Sequence, residues 1–281
     1  MSSSKNALVV EGGGSRGIFN AGVLDAFLTE GFDPFNIYIG VSAGAYCLAS
    51  FLARMYQGTY RLYTDYCRRP EYINWWRFIR GGHLLDLDWL LKISNREMPL
   101  DLDRLLDPRN EYYIGVTDAR HGQVNHIMPN QNNLMDLLKA SMAIPLLYRK
   151  FVDINGMECV DGGLADPIPV RKAHELGASN IMVLRTRLHS YSMKPTVGDT
   201  FGSLLLFKHP ALVRASHNRP NVYQESIAFI RNPPDGVRII EINPPECFRT
   251  KRLTMDLEIF KSDYQLGYTA GLAAISRWSA N

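Results

Sequence analysis

The sequence predicts a three-layer α/β/α fold with a largely parallel central sheet. Two observations carry this. Strand-like and helix-like segments alternate from the N-terminus: strands over 6–11 and 36–41, helices over 18–30 and 43–57, then strand-like runs at Tyr112 to Thr117, Val124 to Met128 and Ile181 to Arg185. Such alternation builds parallel sheets covered by helices. The first two strands also each enter a glycine-rich turn followed by a helix. Both turns then lie at the C-terminal ends of adjacent strands, where these sheets hold ligands.

The first strand is Ala7-Leu8-Val9-Val10, followed by Glu11 and Gly12-Gly13-Gly14-Ser15-Arg16-Gly17. From Ile18 to Glu30, the apolar residues Ile18, Phe19, Val23, Leu24, Phe27 and Leu28 recur at helical spacing, and Gly31 stands where a helix C-terminal glycine belongs. Consecutive glycines let backbone amides converge, and the helix N-terminus adds its dipole. This is an anion site, for a pyrophosphate or for a tetrahedral oxyanion.

The second strand leads through Gly40-Val41-Ser42-Ala43-Gly44 into the apolar run Ala45 to Met55. A serine on a tight strand-to-helix turn is presented at a helix N-terminus, which favours an attacking alkoxide. The competing reading is a glycine-rich turn whose serine caps a helix. Further on, Asn155-Gly156 separates two apolar-rich runs between Phe151 and Val160, a strong hairpin signal. Asp161-Gly162-Gly163 follows. Asp161 alone reads as bracing its turn, but beside an activated serine a carboxylate on a strand end can serve as base.

Gly12-x-Gly14-x-x-Gly17 matches the dinucleotide fingerprint, yet the second strand ends at Gly40-Val41-Ser42 rather than at an acidic residue. No Gly-Lys-Ser/Thr follows the glycines, so a Walker-type phosphate loop is excluded. A Ser–acid–His triad would need His174, His189, His209 or His217. His174 falls in a helix-like run from Val170 to Leu176 that ends at Gly177, and the other three lie in polar or Pro-flanked stretches without a partner motif.

Together these motifs resemble the bacterial branch of the patatin-like phospholipase family. Gly12 to Gly17, including Arg16, is similar to its glycine loop. Gly40 to Gly44 is similar to its Gly-x-Ser-x-Gly elbow, and Asp161 to Gly163 to its Asp-Gly-Gly. Ala140-Ser141-Met142-Ala143-Ile144-Pro145 resembles a helix end that precedes the aspartate hairpin in that family. The resemblance covers roughly residues 6–190. It implies a Ser–Asp dyad hydrolase acting on lipid acyl esters, with Ser42 as nucleophile and Asp161 as base. The amides of Gly12, Gly13 and Gly14 would form the oxyanion hole. Arg16, Gly17, Gly40, Gly44, Gly162 and Gly163 would be supporting motif positions, and no metal or cofactor would be required. The rival is a non-catalytic protein that binds a nucleotide or phospholipid headgroup at the glycine loop.

At 281 residues and 46% hydrophobic composition, the chain can bury a sizeable core. We expect a catalytic core over 6–190 and a C-terminal extension over 191–281 packed on the same domain. Cys47, Cys67, Cys159 and Cys247 are scattered and read as reduced thiols. The first residues lack the apolar stretch of a secretory signal, and no run approaches a membrane span, so the expected location is cytoplasmic. A net charge of +3 gives no argument for nucleic acid. Between Arg54 and Arg80, aromatic residues and arginines interleave. They suit either a peripheral contact with anionic phospholipid headgroups, at the inner membrane surface, or a helix packing its aromatics inward. Arg249-Thr250-Lys251-Arg252 reads as a solvated turn. Leu204-Leu205-Leu206-Phe207 reads equally as a buried helix or as a lid over an acyl chain.

Overall fold

Along β1 (Lys5–Val10), Ala7 and Val9 face one apolar cluster while Leu8 and Val10 face another, and all four are fully buried. Period-two alternation in a strand covered on both faces produces this pattern. β1 is therefore central. The computed structural model describes residues 5–194 and 208–280. Leu204 to Phe207 lie outside the described residues.

Among the described residues, one sheet contains β1, β2 (Ile37–Val41), β3 (Glu111–Asp118), β4 (Val124–Ile127), β5 (Val152–Ile154), β6 (Met157–Asp161), β7 (Ala178–Leu184) and β8 (Arg238–Ile242). The order is β5-β6-β3-β2-β1-β7-β8, with β4 also paired to β3. β3, β2, β1, β7 and β8 run parallel. β4 and β6 run antiparallel to β3, and β5 to β6. The hairpin turn falls at Asn155 and Gly156, both at positive φ (54° and 84°), as a two-residue turn of this type requires.

The helices are α1 (Gly17–Thr29), α2 (Ala43–Leu52), α3 (Gly58–Arg61), α4 (Trp75–Ile79), α5 (Leu87–Glu97), α6 (Leu102–Leu105), α7 (Leu134–Met142), α8 (Val170–Glu175), α9 (Pro210–Arg231) and α10 (Leu257–Ser279). Residues of α1, α2, α5, α7 and α10 share one cluster with Leu8 and Val10. Residues of α8 and α9 share the other with Ala7 and Val9. The fold is thus three-layered, as the sequence predicts.

Two element ends differ from the sequence expectation by three residues or more. α2 stops at Leu52 instead of running to 57, because Arg54 (φ 56°) and Gln57 (φ 57°) adopt left-handed backbone. The reversal lets the Gln57 N–H donate to Asp25 Oδ1 at 3.0 Å. β7 begins at Ala178 rather than Ile181, since Lys5 and Asn6 extend its pairing with β1. In the stretch where aromatics and arginines interleave, Tyr63 is buried, Tyr60 half-buried and Tyr56 exposed, so an inward-packed helix accounts for only part of it.

α1 and α10 approach backbone to backbone. A Cβ on Gly22 would meet Tyr268 N at 2.7 Å, and one on Gly267 would strike the Phe19 carbonyl. Tyr264 Oη donates to Asp25 Oδ2 at 2.9 Å across the same interface, and its ring lies 4.5 Å from that of Tyr60. Gly267→Ala should therefore cost about 2 kcal/mol, in the usual range for overpacking. Urea unfolding monitored by circular dichroism checks this, and a loss under about 0.5 kcal/mol would show that the helices can part cheaply.

Burial raises the Asp25 carboxyl from 3.8 to about 6, against the bonds from Gln57 and Tyr264. The folded state therefore holds this proton more tightly than the unfolded state. Its stabilising contribution is full below about pH 4 and is lost as pH rises through about 6. Asp25→Asn stays neutral and should gain on the wild type by up to about 3 kcal/mol between pH 4 and pH 7.5. Urea unfolding at both pH values measures the gap, which should widen with pH.

Candidate active site

β2 delivers Ser42 directly to the N-terminus of α2. The serine itself carries the strain of the turn, at φ 55° and ψ −128°, a region that costs a non-glycine residue about 1–3 kcal/mol. The flanking glycines are required by crowding. A Cβ on Gly40 would lie 2.6 Å from Ala45 Cα, and one on Gly44 would strike the Val10 carbonyl. α2 therefore packs directly on the ends of β1 and β2.

Two groups hold the elbow from the far side. The Ser42 N–H donates to Ser141 Oγ at 2.7 Å, and Ser141 Oγ donates to the Gly115 carbonyl of β3 at 2.6 Å. The Ala45 N–H donates back to the Ser42 carbonyl at 3.0 Å. Ser141 lies on α7 and is fully buried.

Asp161 ends β6, paired with Val116 of β3. Ser42 Oγ donates to Asp161 Oδ2 at 2.8 Å, and the Gly163 N–H donates to Asp161 Oδ1 at 2.8 Å. Gly162 has no room for a side chain, because a Cβ would strike the Gly115 carbonyl. Burial raises the Asp161 carboxyl above its ordinary value. The Ser42 hydroxyl, Arg219, the Gly163 N–H and Arg252 act in the opposite direction.

The glycine loop sits beside this pair. A Cβ on Gly12 would lie 2.9 Å from Ser42 Cβ, one on Gly13 2.6 Å from Thr186 Oγ1, and one on Gly14 2.7 Å from the Arg252 carbonyl. Gly14 also has φ +59°. These glycines are thus excluded from bearing side chains by protein neighbours. The Ser15 N–H donates to the Arg252 carbonyl at 3.0 Å, and Tyr63 Oη to the Gly14 carbonyl at 2.9 Å. Behind the loop, the Thr186 N–H donates to Glu11 Oε2 at 2.6 Å and Thr186 Oγ1 to the Gly12 carbonyl at 2.9 Å. The amides of Gly12, Gly13 and Gly14 have no protein acceptor among the described residues.

Two clefts meet at Ser42, Gly14, Ile144 and Arg252. One is apolar, lined by Tyr46, Leu62, Tyr63, Leu90, Met142 and Leu253 among others. The other contains the glycine loop, Asp161 and four arginines: Arg16, Arg187, Arg219 and Arg252. Of these, Arg16 lies in a recognisable motif, whereas Arg187 and Arg219 stand in no motif and are scattered along the chain. Arg252 corrects the expectation of a solvated turn: it is half-buried and lines both clefts. No histidine lines either cleft among the described residues. His174 is exposed, His189 lies 3.2 Å from Glu241, and the His209 ring packs edge-on against Phe151. Among the described residues, no group of three or more His, Cys, Asp or Glu side chains could hold a metal ion.

Residues 8–174 match the family model of patatin-like phospholipases. The chain belongs to the patatin-like phospholipase family. Residues 209–281 match a domain of unknown function (DUF6363). The uncharacterized protein YjjU of Escherichia coli K12 is 36% identical over 276 residues, covering 94% of this chain and 75% of that protein. The lysophospholipase NTE1 of Debaryomyces hansenii is 23% identical over 99% of this chain, which spans only 18% of that protein. Among solved structures, VipD from Legionella pneumophila aligns over 98% of this chain and 67% of its own, with a TM-score of 0.49 and 13% identity. The patatin-like match stops before Arg187. Arg219 and Arg252 both belong to the segment of unknown function.

Ser141→Ala should leave the Ser42 N–H without its acceptor and remove the Ser141 hydroxyl from the Gly115 carbonyl. The cost should be about 1–3 kcal/mol, the penalty for buried unsatisfied polar groups. Chemical denaturation measures it, and an unchanged midpoint would show that the elbow does not lean on this hydroxyl.

Proposed function

We propose that this chain is a serine lipid acyl hydrolase of the phospholipase A or lysophospholipase type, working through a Ser42–Asp161 dyad. The observation that carries the reading is the 2.8 Å contact from Ser42 Oγ to Asp161 Oδ2, at the junction of an apolar cleft and a polar one. A protein that only binds a headgroup has no need of a buried carboxylate on that hydroxyl.

In this mechanism Asp161 accepts the Ser42 proton as the oxygen attacks the ester carbonyl. The carbonyl oxygen gains negative charge, and the free amides of the glycine loop hold it. Asp161 passes the proton to the departing alcohol, leaving an acyl-Ser42. Asp161 then takes a proton from water, which attacks the acyl group; the bond from the acyl carbon to Ser42 Oγ breaks, Asp161 returns the proton to Ser42 Oγ, and the fatty acid leaves. The acyl chain occupies the apolar cleft and the polar portion of the lipid lies toward the arginines. Family membership supports lipid ester chemistry, and the fungal relative's name as a lysophospholipase is in keeping with it.

We also propose a peripheral contact with a membrane surface. Its apolar element is α4, where Trp75, Trp76 and Ile79 are exposed. Tyr72 and Ile73, just before α4, line the apolar cleft. Arg68 and Arg69 do not face lipid freely, since Arg68 Nε donates to the Met255 carbonyl and Arg69 pairs with Glu97. Among the described residues no helix is long and apolar enough to cross a membrane.

Ser42→Ala and Asp161→Asn should each lower kcat for a soluble octanoyl ester by at least about 1000-fold, while the folded signal by circular dichroism is retained. Activity within about tenfold of wild type in either variant would refute the dyad. Because burial raises Asp161, and only its ionised form accepts the proton, kcat/KM should rise with pH through a value above the ordinary carboxylate range. A profile already flat from pH 4 would contradict Asp161 as base.

A further inference from the structure

Arg16, Arg187, Arg219 and Arg252 converge on the polar cleft from four separate parts of the chain. The only carboxylates lining the same cleft among the described residues are Glu11 and Asp161. Four guanidinium groups against two carboxylates leave two positive charges uncompensated. Both carboxylates are also already engaged, Glu11 by the Thr186 N–H and Asp161 by Ser42 and Gly163. None of the four arginines lies within 4.0 Å of a carboxylate oxygen among the described residues.

Arg16 is the most telling member. It is 7% exposed, and its Nε is buried with no hydrogen-bond partner. A buried donor left unpaired is costly unless something else occupies it. Burial, followed by Arg187 and Arg252, lowers its pKa to about 9, so it remains charged at neutral pH. Arg252 is lowered by burial and by Arg219 and Arg187. Like charges are thus held together at a protein's own cost, which an anion would relieve. Two of the four are held by neighbours: Arg219 Nε donates to the Gly163 carbonyl at 2.5 Å, and the Arg187 guanidinium stacks over the Tyr191 ring at 4.1 Å.

We propose that this cluster is a phosphomonoester site and that the substrate is an acyl ester bearing a terminal phosphate, a lysophosphatidate-type lipid. This rests on the hydrolase reading and adds the substrate class. A terminal phosphate carries about −1.5 to −2 charges at neutral pH and offers three acceptor oxygens, matching the uncompensated charge and the forked donors. A choline headgroup would instead bring a cation among the guanidinium groups. Ser42 lies in both clefts, so a lipid with its acyl chain in the apolar cleft and its phosphate among the arginines spans the nucleophile. Two of the four arginines come from the segment of unknown function, which gives that segment a role in substrate selection.

The test compares three soluble substrates on the full chain: octanoyl-glycerol phosphate, octanoyl-glycerophosphocholine and octanoylglycerol. The phosphomonoester should have the highest kcat/KM, by at least about tenfold. Arg252→Gln and Arg187→Gln should each lower kcat/KM for the phosphomonoester at least about tenfold more than for octanoylglycerol, with Arg252→Lys restoring part of the difference. Equal kcat/KM for the three esters, or equal losses on charged and neutral ones, would overturn the proposal. It would leave the arginines acting on the oxyanion. A second arm measures binding by calorimetry to the Ser42→Ala protein and needs no turnover. Octanoyl-glycerol phosphate should bind, and Arg252→Gln should weaken it. No binding would overturn the proposal, and inorganic phosphate binding as tightly would assign the site to a free anion instead of a headgroup. If no ester is cleaved by wild type yet the phosphate ester binds, the hydrolase reading fails while the anion site stands.

Discussion

The close approach of α2 to the ends of β1 and β2 is the constraint from which the site follows. Gly44 lies against the Val10 carbonyl, Gly40 against Ala45, and Gly12 against Ser42. With no side chains between them, the elbow and the glycine loop are pressed together, and Ser42 is forced into a strained backbone conformation. β3 completes the clamp. Its Gly115 carbonyl anchors Ser141, which holds the Ser42 N–H, and its Val116 pairs with Asp161. Ser42 and Asp161 are 119 positions apart in sequence, yet both are referred to one strand.

Electrostatics in the cleft is a balance of burial against positive charge. Burial pushes the Asp161 carboxyl up, toward its protonated form. Arg219 and Arg252 oppose that shift. Arg252 in turn crowds Arg16, Arg187 and Arg219, so the potential that helps ionise Asp161 also creates a demand for an external anion. The support behind the loop is charged as well: Arg185 is fully buried between Glu241 and Tyr223, with Glu11 nearby.

The local elements were legible because each motif has a short-range cause. Asn155-Gly156 marks a turn by its need for positive φ, and the Gly-x-Ser-x-Gly elbow marks a strand-to-helix junction by crowding alone. The end of α2 was not legible, since the reversal at Arg54 to Gln57 depends on Asp25 in a different helix. Arg187, Arg219 and Arg252 were not legible for a similar reason. A solvated arginine and one lining a cleft look alike in sequence, and only the tertiary placement of α9 and of the loops after β7 and before α10 separates them. The Arg249-Thr250-Lys251-Arg252 cluster was the one available signal, and Thr250 bonding to buried Asp263 is what turns it inward.

The central claim is that Ser42 is an activated nucleophile, and covalent labelling tests it most directly. The full chain is treated with a fluorophosphonate, weighed intact and mapped by peptide mass spectrometry. The account predicts a single adduct, located on Ser42 and absent from the Asp161→Asn protein. An adduct on another residue, or no adduct in a preparation that cleaves the octanoyl ester, would contradict it.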